Sequence, residues 1–306
     1  MLLTRRGFLT GSAASVAVLA CQGTSKFSTL REVDRVVAGQ SSRDGAGVAL
    51  RRSLGSRALP MLDPFLLLDE IHSADPADYT AGFPQHPHRG FETVSYVLRG
   101  GFQHRDSVGN HGLIHDGGAQ WMTAGKGIIH EEMPRPTETS ELWGLQLWVN
   151  LPAARKMIRP RYQDLGASQI PELDIADARV RLVAGQIGAT RGAVDGIDIQ
   201  PTMLDASLHA GATFRHRLPG GDTAFVYVLD GAVSFGPRAT QVSAGELGVL
   251  GTGDEIAATS TSGGRFLLVA GTPLREPVAR RGPFVMTTDA ELRQAFADYQ
   301  SGTLTL

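Results

Sequence analysis

Thr93-Val94-Ser95-Tyr96-Val97-Leu98, closed by Arg99-Gly100-Gly101, decides the architecture. A run rich in β-branched and aromatic side chains with a glycine pair behind it forms a strand and a turn, and Phe102 to Asp106 is expected as its hairpin partner. The centre of that stretch, Tyr96-Val97-Leu98-Arg99-Gly100, returns 131 residues later as Tyr227-Val228-Leu229-Asp230-Gly231. Gly118 to Gly125 likewise has a counterpart in Gly245 to Gly253. Two matches in the same order argue for an internal duplication. Around the first copy, Glu141 to Val149 reads as a largely buried strand. Lys126-Gly127 is a turn into a further strand, Ile128 to Met133, which Pro134 ends. Such spacing predicts an all-β fold of antiparallel sandwiches or barrels, two in tandem. Asp289 to Tyr299 reads as one short C-terminal helix, with Thr288 as N-cap and Glu291 three residues on. The expected domains are residues 30–150 and 179–306, joined by a polar, Pro-containing linker over 151–178.

The chain has 306 residues, 29 Lys plus Arg against 31 Asp plus Glu, and a net charge of −2. Hydrophobic residues make up 42% and charged residues 20%, which suits folded domains and excludes a disordered, collagen-like or coiled-coil chain. No basic excess exists to neutralise phosphates, so nucleic acid is not an expected partner. A single cysteine rules out intrachain disulfides and multi-Cys zinc sites.

That cysteine stands in an informative place. Residues 1–20 have a charged start, an apolar run from Gly11 to Ala20 too short to span a bilayer, and small residues before Cys21. Thr4-Arg5-Arg6-Gly7-Phe8-Leu9 resembles a twin-arginine export signal, and Val18-Leu19-Ala20-Cys21 a bacterial lipobox. The expectation is an exported, periplasmic or cell-surface lipoprotein, touching a membrane only through a lipid on Cys21.

Seven of the nine histidines lie between residues 72 and 130. His86 and His88 are an i, i+2 pair, as are His130 and Glu132, and in a strand such residues project from one face about 6.6 Å apart. Two such pairs on neighbouring strands could aim four ligating groups at one interior point. Three imidazoles and a carboxylate suit one divalent transition metal: Fe(II), Mn, Ni, Cu, Zn or Co. Glu92 shares the parity of His88 if no bulge intervenes at Gly90, whereas Glu131 points away. His104, His111 and His115 read mainly as loop histidines, and His72 could line the mouth.

His86 to Thr93, Gln120 to Pro134, Gly144 to Asn150, and Pro273 to Val278 with Gly282 to Met286 together resemble the pirin family. The resemblance implies a bicupin, two tandem cupin barrels of which the first holds one metal, commonly iron. It carries the ligand roles onto His86, His88, His130 and Glu132, and leaves Glu92 behind them as support. The second barrel is expected to be metal-free. A shift of 131 sets Arg217, Pro219 and Thr223 against His86, His88 and Glu92. A shift of 127 sets Ala257 and Thr259, or one of 128 Ala258 and Ser260, against His130 and Glu132.

Some members of that family resemble quercetinases, so the resemblance implies O₂-dependent opening of a flavonol-like substrate, with Glu132 as ligand and base together. Phe91, Trp121 and Met122 are candidate apolar walls, with barrel core as the other reading. A non-catalytic, metal-containing redox-sensing or binding protein is the alternative, and a bicupin whose metal mainly stabilises the fold a third reading. Cys21→Ser is expected to abolish membrane association without touching catalysis; subcellular fractionation checks this, and unchanged partitioning would remove the lipoprotein expectation.

Overall fold

The computed structural model describes residues 28–135, 140–197 and 199–306, so the export signal and Cys21 lie outside the described residues. Among the described residues no helix is long and apolar enough to cross a membrane. Two barrels lie back to back. The first uses β2 (Gln40–Asp44), β3 (Val48–Leu54), β4 (Phe65–Ser73), β5 (Phe83–His88), β6 (Phe91–Arg99), β7 (Gly101–Asp106), β8 (His111–His115), β9 (Ala119–Thr123), β10 (Ile128–Pro134), β11 (Leu142–Asn150) and β12 (Arg161–Leu165), with β1 (Val33–Ala38) preceding them. The second follows as β13 (Glu172–Ile175), β14 (Ala178–Ala184), a small hairpin of β15 (Gln186–Ile187) and β16 (Thr190–Arg191), β17 (Thr202–Leu208), β18 (Thr213–Arg217), β19 (Thr223–Phe235), β20 (Thr240–Ser243), β21 (Glu246–Leu250), β22 (Glu255–Thr259) and β23 (Gly264–Gly271). β24 (Ala279–Arg281), β25 (Phe284–Met286) and α1 (Asp289–Gln300) close the chain.

The duplication is visible in the strand order. One large sheet runs β12-β9-β6-β11-β4-β3-β2, and its counterpart runs β1-β21-β19-β23-β17-β14-β13. These two sheets face each other. Along β6, Val94, Tyr96 and Leu98 enter the core between the barrels while Val97 enters the first barrel's own interior. Along β19, Phe225, Tyr227 and Leu229 meet that shared core while Ala224, Val226 and Val228 fill the second barrel. Both faces of these strands are buried, which is why they read as continuous apolar runs. Each large side chain so buried contributes about 1.5–3 kcal/mol.

Two corrections concern connectivity. Phe102 to Asp106 does not fold back on β6. After the Gly100 turn, where φ is +87°, β7 leaves for a second sheet of order β5-β10-β7-β8 and pairs with β10 and β8. The partners of β6 are instead β9 and β11. Edge strands also cross between the expected segments. β1, near the start of the described chain, pairs with β21 of the second barrel. The stretch expected to be a linker supplies an edge strand to each barrel, β12 on β9 and β13 on β14. β12 and β1 occupy equivalent edges, so each large sheet is completed by chain lying outside its expected domain.

The repeated tyrosines make corresponding contacts in the two copies. Tyr96 Oη donates to Asp205 Oδ2 at 2.7 Å, and Tyr227 Oη donates to Glu70 Oε2 at 2.8 Å. Asp205 on β17 and Glu70 on β4 are equivalent strands' acids, so each barrel's tyrosine satisfies a buried carboxylate of the other. Burial, reinforced by the partner carboxylate, pushes both phenols up and keeps them as donors. Tyr96→Phe is expected to lower unfolding free energy by about 1–3 kcal/mol, since it withdraws a donor from buried Asp205. Urea denaturation with paired fluorescence and circular dichroism checks this.

Candidate metal centre

The small sheet of the first barrel brings the two i, i+2 pairs together. β10 lies between β5 and β7, with His130 opposite His86 and Ile128 opposite His88. One ligand atom from each of His86, His88 and His130 falls within 4.8 Å of the others. His88 and His130 are buried and His86 half-buried.

Hydrogen bonds fix which nitrogen is bare. His86 Nδ1 lies 2.8 Å from the Pro84 carbonyl oxygen and His88 Nδ1 lies 3.2 Å from that of Pro283. A carbonyl oxygen only accepts, so both protons sit on Nδ1 and both Nε2 atoms carry lone pairs. Those two Nε2 atoms are 3.1 Å apart. Lone pairs that close need a positive charge between them, either a proton or a metal ion. Burial, reinforced by the neighbouring imidazoles, pushes His88 and His130 well below the ordinary histidine range and disfavours the proton. His130 Nε2 is buried with no hydrogen-bond partner among the described residues, and its Nδ1 is 3.4 Å from His104 Nδ1. Three clustered imidazoles whose Nε2 atoms are not claimed by protein donors fit a divalent transition metal.

Glu132 shares the buried face of His130 but is not within the three-histidine group. Ser95 Oγ donates to its Oε1 and Gln146 Nε2 to its Oε2, each at 2.8 Å. Both of its carboxylate oxygens are thus held by side-chain donors.

A cavity of about 600 Å³ opens onto His86 and His88, with Phe83, Trp148, Arg52, Asp69, Arg280 and Pro283 among its walls. Arg52 grips Asp69 through two bonds of 2.8 and 2.6 Å. Arg280 lies over the Trp148 ring at 4.9 Å and donates to the Leu66 carbonyl at 2.7 Å. Arg280 and Pro283 belong to the C-terminal segment, whose strand β25 seats against the loop after His88. Val285 N donates to the Arg89 carbonyl at 3.0 Å, and Arg89 reaches Asp298 of α1 at 2.6 Å. Gly90 has φ +88°, and a Cβ there would come within 2.0 Å of the Val285 carbonyl, so only glycine admits this approach. Lys156, from the stretch expected to be a linker, donates to Gly90 O, Asn150 Oδ1 and Val285 O at 2.8, 2.6 and 3.0 Å. Burial lowers its ammonium to about 8 while all three of its protons are placed.

Other expected residues fall differently. Phe91 stands edge-on to His88 at 5.0 Å, but it is fully buried with Leu66 and Val285 and does not line the cavity. Trp121 belongs to the core between the barrels, because it pairs with Val94 and shares its face. Met122 packs with Ala124 and Ile128 and does not line the cavity. Glu92 lies on the strand face of its cross-strand partner Val149, in the shared core, and accepts from Thr123 Oγ1 at 2.7 Å. The turn at Gly90 breaks the parity that would have aligned it with His88. His72 stacks on Trp143 at 4.3 Å and lines a different hollow, so it is not at the mouth. His111 and His115 are exposed, whereas His104 is buried against His130. Its signal was present in the sequence, since His104-x-Asp106 is another i, i+2 pair.

In the second barrel the register corrects the expected correspondence. His216 pairs with Ile256 and Phe214 with Ala258, as His88 pairs with Ile128 and His86 with His130. The shift on these strands is therefore 128, and Phe214, His216, Ala258 and Ser260 replace His86, His88, His130 and Glu132. Phe214 is fully buried against Phe266, at 5.7 Å between ring centroids, so packed aromatic core stands where the first barrel has ligands.

Residues 47–149 match the Pirin family and residues 203–305 the Pirin C-terminal cupin domain. A Pseudomonas aeruginosa protein provisionally named a quercetin 2,3-dioxygenase is 42% identical over 280 residues, 90% of this chain and 98% of that one. Human Pirin is 42% identical over 285 residues, 91% of this chain and 94% of its own. The crystal structure of a quercetin 2,3-dioxygenase from Acinetobacter baumannii superposes with a TM-score of 0.82 at 33% identity, covering 90% of this chain and 99% of that one. His88→Ala is expected to weaken metal binding by more than about 100-fold while leaving the barrel folded. Elemental analysis with circular dichroism checks this, and full occupancy would show that His88 is not a ligand.

Proposed function

The chain belongs to the pirin family, and from that premise we propose a metal-dependent oxidoreductase of the quercetin 2,3-dioxygenase type, which opens the central ring of a flavonol with O₂. The observation that carries this reading is the pair of bare Nε2 atoms 3.1 Å apart, on two histidines lining a cavity of about 600 Å³, with the buried His130 Nε2 beside them having no hydrogen-bond partner among the described residues. That volume lies within the range of small-molecule sites. The similarity to the Acinetobacter enzyme supports the substrate class.

His86, His88 and His130 would hold the metal, with Glu132 as the fourth ligand and Fe(II) as the proposed ion. When bound, the metal supplies Lewis acidity and a centre able to exchange electrons with O₂. Phe83 and Trp148 would offer apolar faces to a planar polyphenol. Glu132 would receive the substrate's hydroxyl proton at Oε2, exchanging its bond from Gln146 while Ser95 keeps Oε1 in place. Gln146 is part of the cavity wall and so links pocket to carboxylate. The sequence-based proposal that the protein is exported and anchored through Cys21 is independent of this chemistry.

Steady-state O₂ consumption by metal-loaded protein over a flavonol panel tests the proposal. Flavonol loss matched by O₂ uptake is expected, with Glu132→Gln slower by about 10²–10⁴-fold. Metal-loaded protein inactive on every flavonol and catechol would overturn the enzymatic reading in favour of a redox-sensing or binding role.

A further inference from the structure

His104 and Asp106 lie on β7 beside the metal-site strand, with His104 opposite Glu132 and Asp106 opposite His130. Their side chains are 1% and 0% exposed, so bulk water does not compete for their hydrogen bonds. Asp106 Oδ1 accepts from the backbone N–H groups of Val108 and Asn110 at 3.0 and 2.9 Å. Its Oδ2 accepts from Asn110 Nδ2 at 2.8 Å and faces His104 Nε2 at 3.1 Å. A carboxylate surrounded by donors acts as acceptor, so the His104 proton sits on Nε2 and Nδ1 is bare. That bare nitrogen faces His130 Nδ1 at 3.4 Å, so the proton between them belongs to His130. His130 Nε2 is then the bare atom, and it is the one that lacks a hydrogen-bond partner among the described residues. Tyr162 of β12 stacks on the His104 ring at 4.6 Å and 26°, fixing its plane.

We propose that Asp106 and His104 form a relay that sets the proton position on His130 and thereby presents its Nε2 to the metal. His104 is a positioning residue, and the role rests on the metal-binding reading above. The relay also gives the three ligand histidines unequal support. His86 and His88 lean on neutral carbonyls, whereas His130 is linked through a second imidazole to a buried carboxylate. Outer partners of this kind orient a ligand and raise its basicity.

Asp106→Asn is the sharp test. Its amide oxygen stays toward the Val108 and Asn110 N–H groups, which turns the NH₂ toward His104 Nε2. His104 must then carry its proton on Nδ1, against the His130 Nδ1 proton. Co(II) is titrated into the full chain against a chelator, and the visible spectrum of the Co(II) protein is recorded. Asp106→Asn and His104→Phe are expected to bind Co(II) about 10–100-fold more weakly than the parent, with an altered spectrum. His104→Gln, whose carbonyl can accept the His130 proton, is expected to stay within about threefold. Parent-like affinity and spectrum in both weakened variants would overturn the relay while leaving the metal site standing. Failure of the parent itself to bind Co(II) would instead overturn the metal reading. If Asp106→Asn does not fold by circular dichroism, the contrast between His104→Phe and His104→Gln decides, and equal affinities there overturn the proposal.

Discussion

Two imidazole nitrogens, both stripped of protons by the carbonyls behind them, stand 3.1 Å apart at the floor of a cavity. Lone pairs in that arrangement repel one another unless a cation joins them, and burial of His88 disfavours a proton there. The surrounding structure maintains this arrangement. Pro84 precedes the ligands on their own strand, and Pro283 arrives from the far end of the chain. The metal site is thus a product of tertiary closure as much as of the strand that carries its first two ligands.

That closure ties the chain ends into opposite halves. β1 completes the second barrel's large sheet, while β25 and α1 pack on the first barrel beside its ligands. Lys156 joins Gly90, Asn150 and Val285, three backbone or side-chain oxygens from three separate segments. Through the close approach at Gly90, the position of Val285 bears on the loop that follows His88. Between the barrels, Tyr96 donates to Asp205 and Tyr227 to Glu70, adding a bond across the interface to carboxylates that Arg265, and Trp143 with Arg51, already hold from within their own barrels.

The duplicated frames have diverged where chemistry differs. Equivalent strands carry His86, His88 and His130 in one barrel and Phe214, His216 and Ala258 in the other. Ligands require an interior with unclaimed lone pairs, whereas Phe214 with Phe266 and Phe235 fills the same volume with close-packed rings. One barrel can therefore specialise in packing while the other keeps polar groups inside.

The residues alone established the β architecture, the duplication, the capped C-terminal helix and the three clustered histidines, because these follow from period-two patterning, repeated motifs and local capping chemistry. Glycine-marked turns located strands accurately, as the bounds of β10 and β11 show. They did not show which strand lies beside which. Pairing β7 with β6 in the sequence reading put His104 away from His130, and parity carried across Gly90 put Glu92 on the wrong face. Pro283, Arg280 and Lys156 were out of reach for the same reason: each acts on the site across a long stretch of chain. Local pattern determines how a strand alternates and where it ends, but neighbours are chosen by burial and hydrogen-bond satisfaction over the whole molecule, and only the folded structure decides those.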